Sequence, residues 1–192
     1  GGGIETNTRK VFEAAGQSCL PKIIVVNKID AENIDLEGLV NNIQETFGLA
    51  CRCANLPSED KKAVVDCIDK PTGTSPLADV QKAHTDLIES VIEADDALME
   101  RYLGGEEISS EKIAEVMTKA LTAGTLIPVL FTNCREEVGI KELMNFISRY
   151  TPSTEQTPAR NFKLESGAEI APDPEGPLVG LVFRAAMDPR SN

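Results

Sequence analysis

The run Ile23-Ile24-Val25-Val26, leading into Asn27-Lys28-Ile29-Asp30, constrains this chain more than any other stretch. Four consecutive β-branched residues without polar alternation read as a strand buried on both faces, which requires a sheet covered by helices. Amphipathic helices are predicted on either side of it, over about 5–16 and 35–47, and Gly48 stops the second. Alternation over 49–56 and 63–68 predicts two strands, with Asn55 to Asp60 between them as a loop. After the breaker 70–76, helices are predicted over about 77–103 and 110–123, the latter capped by Ser109 or Ser110. A strand over 125–131 and a helix over 140–150 complete the alternation, and residues 151–158 read as a linker. A last buried strand is expected over 177–185. Strands alternating with helices predict an α/β layer fold on a mainly parallel sheet.

Composition narrows the function classes. The chain has 192 residues, with 19 Lys+Arg against 31 Asp+Glu and a net charge of -12. A negative field of that size opposes independent binding to nucleic acid or an anionic membrane, and favours a basic partner. No apolar run approaches a bilayer span and no signal peptide opens the chain, while five loosely spaced cysteines point to reduced thiols in a cytoplasm. The chain starts at Gly1 without Met and stops just after its last predicted strand, so it reads as an internal piece of a larger protein.

The sharpest chemical feature is Asn27-Lys28-Ile29-Asp30 at the carboxyl end of a hydrophobic strand. Ligands of open α/β sheets bind at that edge. Asn-Lys-x-Asp there matches the guanine-reading signature of GTPases. A carboxylate accepts both the ring N1–H and the exocyclic amine, which adenine cannot offer together. The Asn amide can brace neighbouring loops, and the Lys stem can pack along the base. Taken alone, the same four residues also fit a polar turn after a strand.

Collinear matches along nearly the whole chain resemble translation elongation factor G. They are Gly3 to Thr8 with Val11-Phe12, the signature itself, Asn55-Leu56-Pro57, Val64-Val65-Asp66, Leu87 to Ser90 through Ala94 to Glu107, Ile127 to Leu130, Tyr150 to Ser153, and Gly176-Pro177-Leu178. The resemblance implies the C-terminal half of a P-loop GTPase (Rossmann-like) domain with an inserted α/β subdomain, followed by the start of a β-barrel domain. Residues 1–49 and 125–150 would be GTPase core, 50–124 the insertion, and 151–192 the linker and first barrel strand. It further implies a cytoplasmic parent that binds GTP/GDP with Mg2+ and promotes ribosomal translocation, with Asn27, Lys28, Asp30, Asn133 and Cys134 at the guanine.

Departures from the family pattern qualify that expectation. The second base-contacting loop is Thr132-Asn133-Cys134, where the family has Gly/Thr-Ser-Ala, and the insertion is short around 57–78. Both indicate a divergent paralogue. The chain contains no Gly-Lys dipeptide and therefore no P-loop to cradle phosphates. Asp35-Leu36-Glu37-Gly38 and Asp173-Pro174-Glu175-Gly176 imitate a magnesium and switch loop, but both follow the guanine signature instead of preceding it. The chain alone is therefore expected to carry no catalytic residue, to hold no tightly bound cofactor and to leave GTP unhydrolysed.

On the predicted 77–103 helix, Asp86, Glu89, Glu93, Asp96 and Glu100 form an acidic stripe opposite an apolar one. By resemblance it meets the basic ribosomal stalk protein, led by Glu89 and Glu93. His84 is expected at the surface. Cys51, Cys53 and Cys67 are expected to be buried structural thiols, not a zinc site. The chain is expected to be monomeric. The remaining alternatives are a non-hydrolysing stalk-binding module and a related ribosomal GTPase acting in recycling or tetracycline protection.

Overall fold

The computed structural model describes residues 3–106 and 108–153, together with 162–163, 167, 169–170, 173, 175–176, 178, 180 and 182. The chain divides into two units, Gly1–Pro152 and Ser153–Asn192. The first is built on a parallel sheet of β1 (Ile24–Asn27), β2 (Cys51–Cys53) and β5 (Ile127–Thr132), in the order β1-β5-β2. Ile24 pairs with Val129 and Asn27 with Thr132 on one side of β5, and Cys51 with Ile127 on the other. A separate antiparallel hairpin joins β3 (Asn55–Pro57) to β4 (Val64–Asp66).

All six residues of β5 are buried, so it is β5 that is covered on both faces. Its side chains alternate between two cores. Ile127, Val129 and Phe131 join Val26, Ile29, Ile43 and Leu56, roofed by α1 (Thr6–Gln17) and α2 (Leu36–Phe47). Leu130 joins Leu87, Val91, Met117, Leu121 and Phe146 from α3 (Val80–Ile92), α5 (Ser110–Ala123) and α6 (Ile140–Tyr150). Of the run Ile23 to Val26, Val26 is buried and Val25 is 43% exposed among the described residues, where β1 has β5 as its one strand neighbour. Pro128 is tolerated in the central strand because the β1 ladder begins one residue later, at Val129.

Two other expectations are corrected. Residues 49–56 form two strands in different sheets, since the chain bends at Ala54 between β2 and β3. Cys51–Cys53 pairs with Ile127 to Val129 in the parallel sheet. The predicted 77–103 helix is broken into α3 and α4 (Asp96–Leu103). Glu93 closes the first, and the Asp95 carboxylate caps the second by accepting from the Leu98 N–H. A side chain that takes a backbone donor competes with helix continuation, so the five acids do not share one continuous helical stripe. Asp86 is only half-exposed.

Ser109 is the N-cap of α5, accepting from the Lys112 N–H at 3.3 Å. Asp35 caps α2 through the Gly38 N–H at 2.8 Å, and Asp173 accepts from the Glu175 N–H at 2.9 Å. Both magnesium-loop look-alikes therefore serve local backbone. In the second unit, β6 (Phe162–Lys163) pairs antiparallel with β7 (Glu169–Ile170). The strand expected over 177–185 lies outside the described residues, apart from isolated positions.

Cys51 and Cys67 are buried and Cys53 half-buried beside the same core. Burial pushes their thiols up from 9.0 to about 11 at Cys51 and about 12 at Cys53 and Cys67. The folded state thus keeps protons that the unfolded chain releases above about pH 9. Stability from this source is full below that pH and is lost as pH rises toward 11–12. The melting temperature is expected to fall by on the order of 5 °C between pH 8 and pH 10.5. Replacing Cys51, Cys53 and Cys67 by Ala should flatten that slope, and an unchanged slope would exclude the thiols as its cause.

Candidate functional site

β1 and β5 run parallel, so their carboxyl ends deliver Asn27-Lys28-Ile29-Asp30 and Thr132-Asn133-Cys134 to the same sheet edge. The side chain of Asn27 joins the two loops. Its Oδ1 accepts from the Lys28 N–H at 2.8 Å, the Cys134 N–H at 3.0 Å and the Thr132 hydroxyl at 3.4 Å. Lys28 stands exposed in the left-handed region at φ 64°, which reverses the chain straight after the strand. Ile29 is fully buried and anchors the turn, and its N–H donates to the Thr132 carbonyl at 3.4 Å. Asp30 then projects into solvent with no hydrogen bond or ion pair among the described residues. An exposed carboxylate beside an apolar anchor can accept two adjacent N–H donors on a planar ring.

The second loop is folded onto itself. Asn133 is 3% exposed, and its backbone exchanges both hydrogen bonds with Val138 at 2.9 and 3.0 Å. Its side-chain Oδ1 accepts from the Arg135 N–H at 3.2 Å, so the amide serves its own turn and not Asp30. The Cys134 N–H points inward to Asn27. Asn27, Lys28, Asp30 and Cys134 are therefore gathered at one edge, with Asn133 buried behind them.

Two residues that shape this edge were missed in the sequence. Gly139, the N-cap of α6, has φ 72°, and a Cβ there would lie 2.4 Å from the Phe131 carbonyl oxygen. A glycine just before an amphipathic helix was the available signal. Asn55 is 2% exposed and bonds the Phe131 backbone twice; no local pattern marks it.

The other candidates lie on other elements. Glu89 and Glu93 are exposed, on α3 and at its C-cap. His84 is half-buried, not a surface residue. Its Nδ1 lies 2.9 Å from the Cys67 carbonyl, tying α3 to the segment after β4. Among the described residues no group of three His, Cys, Asp or Glu side chains is placed to hold a metal ion. No helix among them is long and apolar enough to cross a membrane.

The family model described as the Elongation factor Tu GTP binding domain matches residues 1–153. The chain belongs to that family. Within it, the chain is 29% identical to elongation factor G of Fervidobacterium nodosum, over 97% of this chain and 30% of the relative. It is 30% identical to elongation factor G of Mycoplasma pneumoniae, with the same coverage. An elongation factor G-like protein of Thermotoga maritima is 26% identical, over 97% of this chain and 29% of its own length. A crystal structure of a protein from Thermus thermophilus superposes with a TM-score of 0.70 at 26% identity, covering 80% of this chain and 26% of that one. The chain thus spans about 30% of the length of these family members.

Of a guanine nucleotide and its magnesium, the residues present fit the base. An unpartnered carboxylate, a braced Asn and a backbone turn supply acceptors and shape for a purine edge. For the metal, no group of three His, Cys, Asp or Glu side chains is placed to hold it among the described residues.

Proposed function

We propose that this chain is the guanine-recognising part of an elongation factor G-like GTPase that promotes ribosomal translocation with GTP hydrolysis. The observation that carries the reading is the convergence of Asn27, Lys28, Asp30 and Cys134 on one sheet edge, with Asn27 bracing both loops. In this reading Asp30 accepts the N1–H and the amine of guanine, and the Lys28 stem lies along the ring. Cys134 offers its N–H to the guanine oxygen when the base displaces or shares its bond to Asn27. Phosphate and magnesium chemistry belongs to other parts of the full-length protein, so residues 1–192 alone leave GTP unhydrolysed.

The test is a fluorescent-nucleotide titration of the full-length protein with GDP and ADP analogues. Guanine should be preferred by at least a hundredfold, because ADP lacks the paired donors for Asp30. Binding of neither nucleotide would sink this reading.

In that event a second reading takes over, a non-hydrolysing module that binds the ribosomal stalk protein. It is favoured by the inward-turned Asn133 amide and Cys134 N–H, which leave the second loop self-satisfied. Both readings place a basic stalk domain against the exposed acids of α3. Reversing Glu89 and Glu93 together to Lys should weaken stalk binding by the full-length protein at least tenfold at low salt, and less at high salt. Equal affinity of variant and wild type would remove the stalk from the proposal. The net charge of -12 supports a monomer that does not bind nucleic acid independently.

A further inference from the structure

The parallel ladder between β2 and β5 is shorter than β5 itself. β2 pairs with Ile127, Pro128 and Val129, and its last contribution is the Ala54 N–H, which donates to the Val129 carbonyl at 2.9 Å. The chain then turns away to pair β3 with β4. Along β5, alternate N–H groups face the β2 side: Ile127 donates to the Ala50 carbonyl there, and Phe131 points the same way. Phe131 is fully buried, and the β2 backbone has already left.

The Asn55 side chain fills that position. Its Oδ1 accepts from the Phe131 N–H at 2.7 Å, and its Nδ2 donates to the Phe131 carbonyl at 3.3 Å. A primary amide presents one acceptor and one donor at about the spacing of a peptide unit, so it extends the sheet by one residue without a strand. The residue it holds immediately precedes Thr132, whose hydroxyl and carbonyl meet Asn27 and Ile29, and lies three before Cys134. The end of β5 is therefore gripped from both sides, by the β1 backbone and by one side chain 76 residues away in sequence.

We propose that Asn55 is a positioning residue for guanine recognition, its amide setting the height of the β5 end and, through it, of Thr132 and Cys134 beside Asn27. The assignment rests on the guanine-binding reading above. It makes the segment after β2 part of the base site without touching the base.

The experiment uses the full-length protein with Asn55→Leu, which keeps the branched shape but offers neither hydrogen bond, and Asn55→Gln, which keeps the amide on one more methylene. At a temperature where circular dichroism reports a folded protein, Asn55→Leu should raise the Kd for GDP at least tenfold. Amide hydrogen exchange at Phe131 and Cys134 should accelerate together. Asn55→Gln should stay within about threefold of wild type. If Asn55→Leu does not fold, Asn55→Ser takes its place, with the same tenfold loss expected.

A folded Leu or Ser variant that binds GDP like wild type makes Asn55 a core residue only and overturns the proposal. So does faster exchange at Phe131 with Cys134 unchanged. Wild type and Asp30→Asn separate the two levels. If wild type binds no guanine nucleotide, the functional reading itself fails; if it binds and Asp30→Asn changes base preference, failure at Asn55 counts against the positioning role alone.

Discussion

Asp30→Asn in the full-length protein is expected to weaken GDP binding by about a hundredfold or more and to improve binding of xanthosine diphosphate by a comparable factor. In the proposed reading, two charge-assisted hydrogen bonds of roughly 1.5–3 kcal/mol each would converge on the carboxylate, and each 1.4 kcal/mol is tenfold in Kd. Asn keeps one acceptor and gains a donor. It therefore fits xanthine, which carries a carbonyl where guanine carries its amine. Asp30 is exposed and unpartnered among the described residues, so its replacement should leave the melting temperature within about 1 °C. The change in affinity would then report base recognition and not folding. Equal GDP affinity in wild type and variant would exclude Asp30 as the guanine reader.

Gly139→Val should produce the largest loss of stability of any single substitution near the site. Position 139 requires φ 72°, where a β-branched residue is strained by roughly 1–2 kcal/mol or more. A Cβ would also sit 2.4 Å from the Phe131 oxygen, a backbone atom that cannot swing aside. That oxygen already receives the Asn55 amide, so displacing it disturbs β5 and the loop after it. Together these should cost about 3 kcal/mol or more, lowering the melting temperature by on the order of 10 °C. A fall of less than about 2 °C would mean that the α6 N-terminus moves freely away from β5. Gly139→Ala should show the same sign with a smaller fall.

Much of this architecture is legible locally. The helices over 36–47, 110–123 and 140–150 stand within a residue of their predicted bounds, because apolar spacing and start or stop residues such as Asp35, Gly48 and Ser109 act within one or two turns. The Asn27 to Asp30 turn was equally local, a polar tetrad closing a β-branched run. Local reasoning failed at Ala54 and at 93–95. β2 and β3 are three residues each, too short for alternation to reveal a change of sheet. The spacing of Leu87, Val91, Ala94 and Leu98 runs through the α3–α4 break, since a capped break can keep its buried stripe in phase.

The sequence by itself determined the α/β class, the order of most elements, the Asn27 to Asp30 tetrad at a strand end and the lack of a Gly-Lys dipeptide in these 192 residues. Each of these depends on neighbours along the chain. Only the tertiary structure decided that β5, at the centre of the three-stranded sheet, is buried along its whole length. It also turned the Asn133 amide and the Cys134 N–H inward, and brought Asn55 and Gly139 together at the Phe131 carbonyl, just before the 132–134 loop. These choices satisfy buried backbone groups across 76 residues of chain in one case and a close backbone approach in the other. A hydrogen bond that exists only because a strand ends leaves no periodic trace in the sequence that makes it.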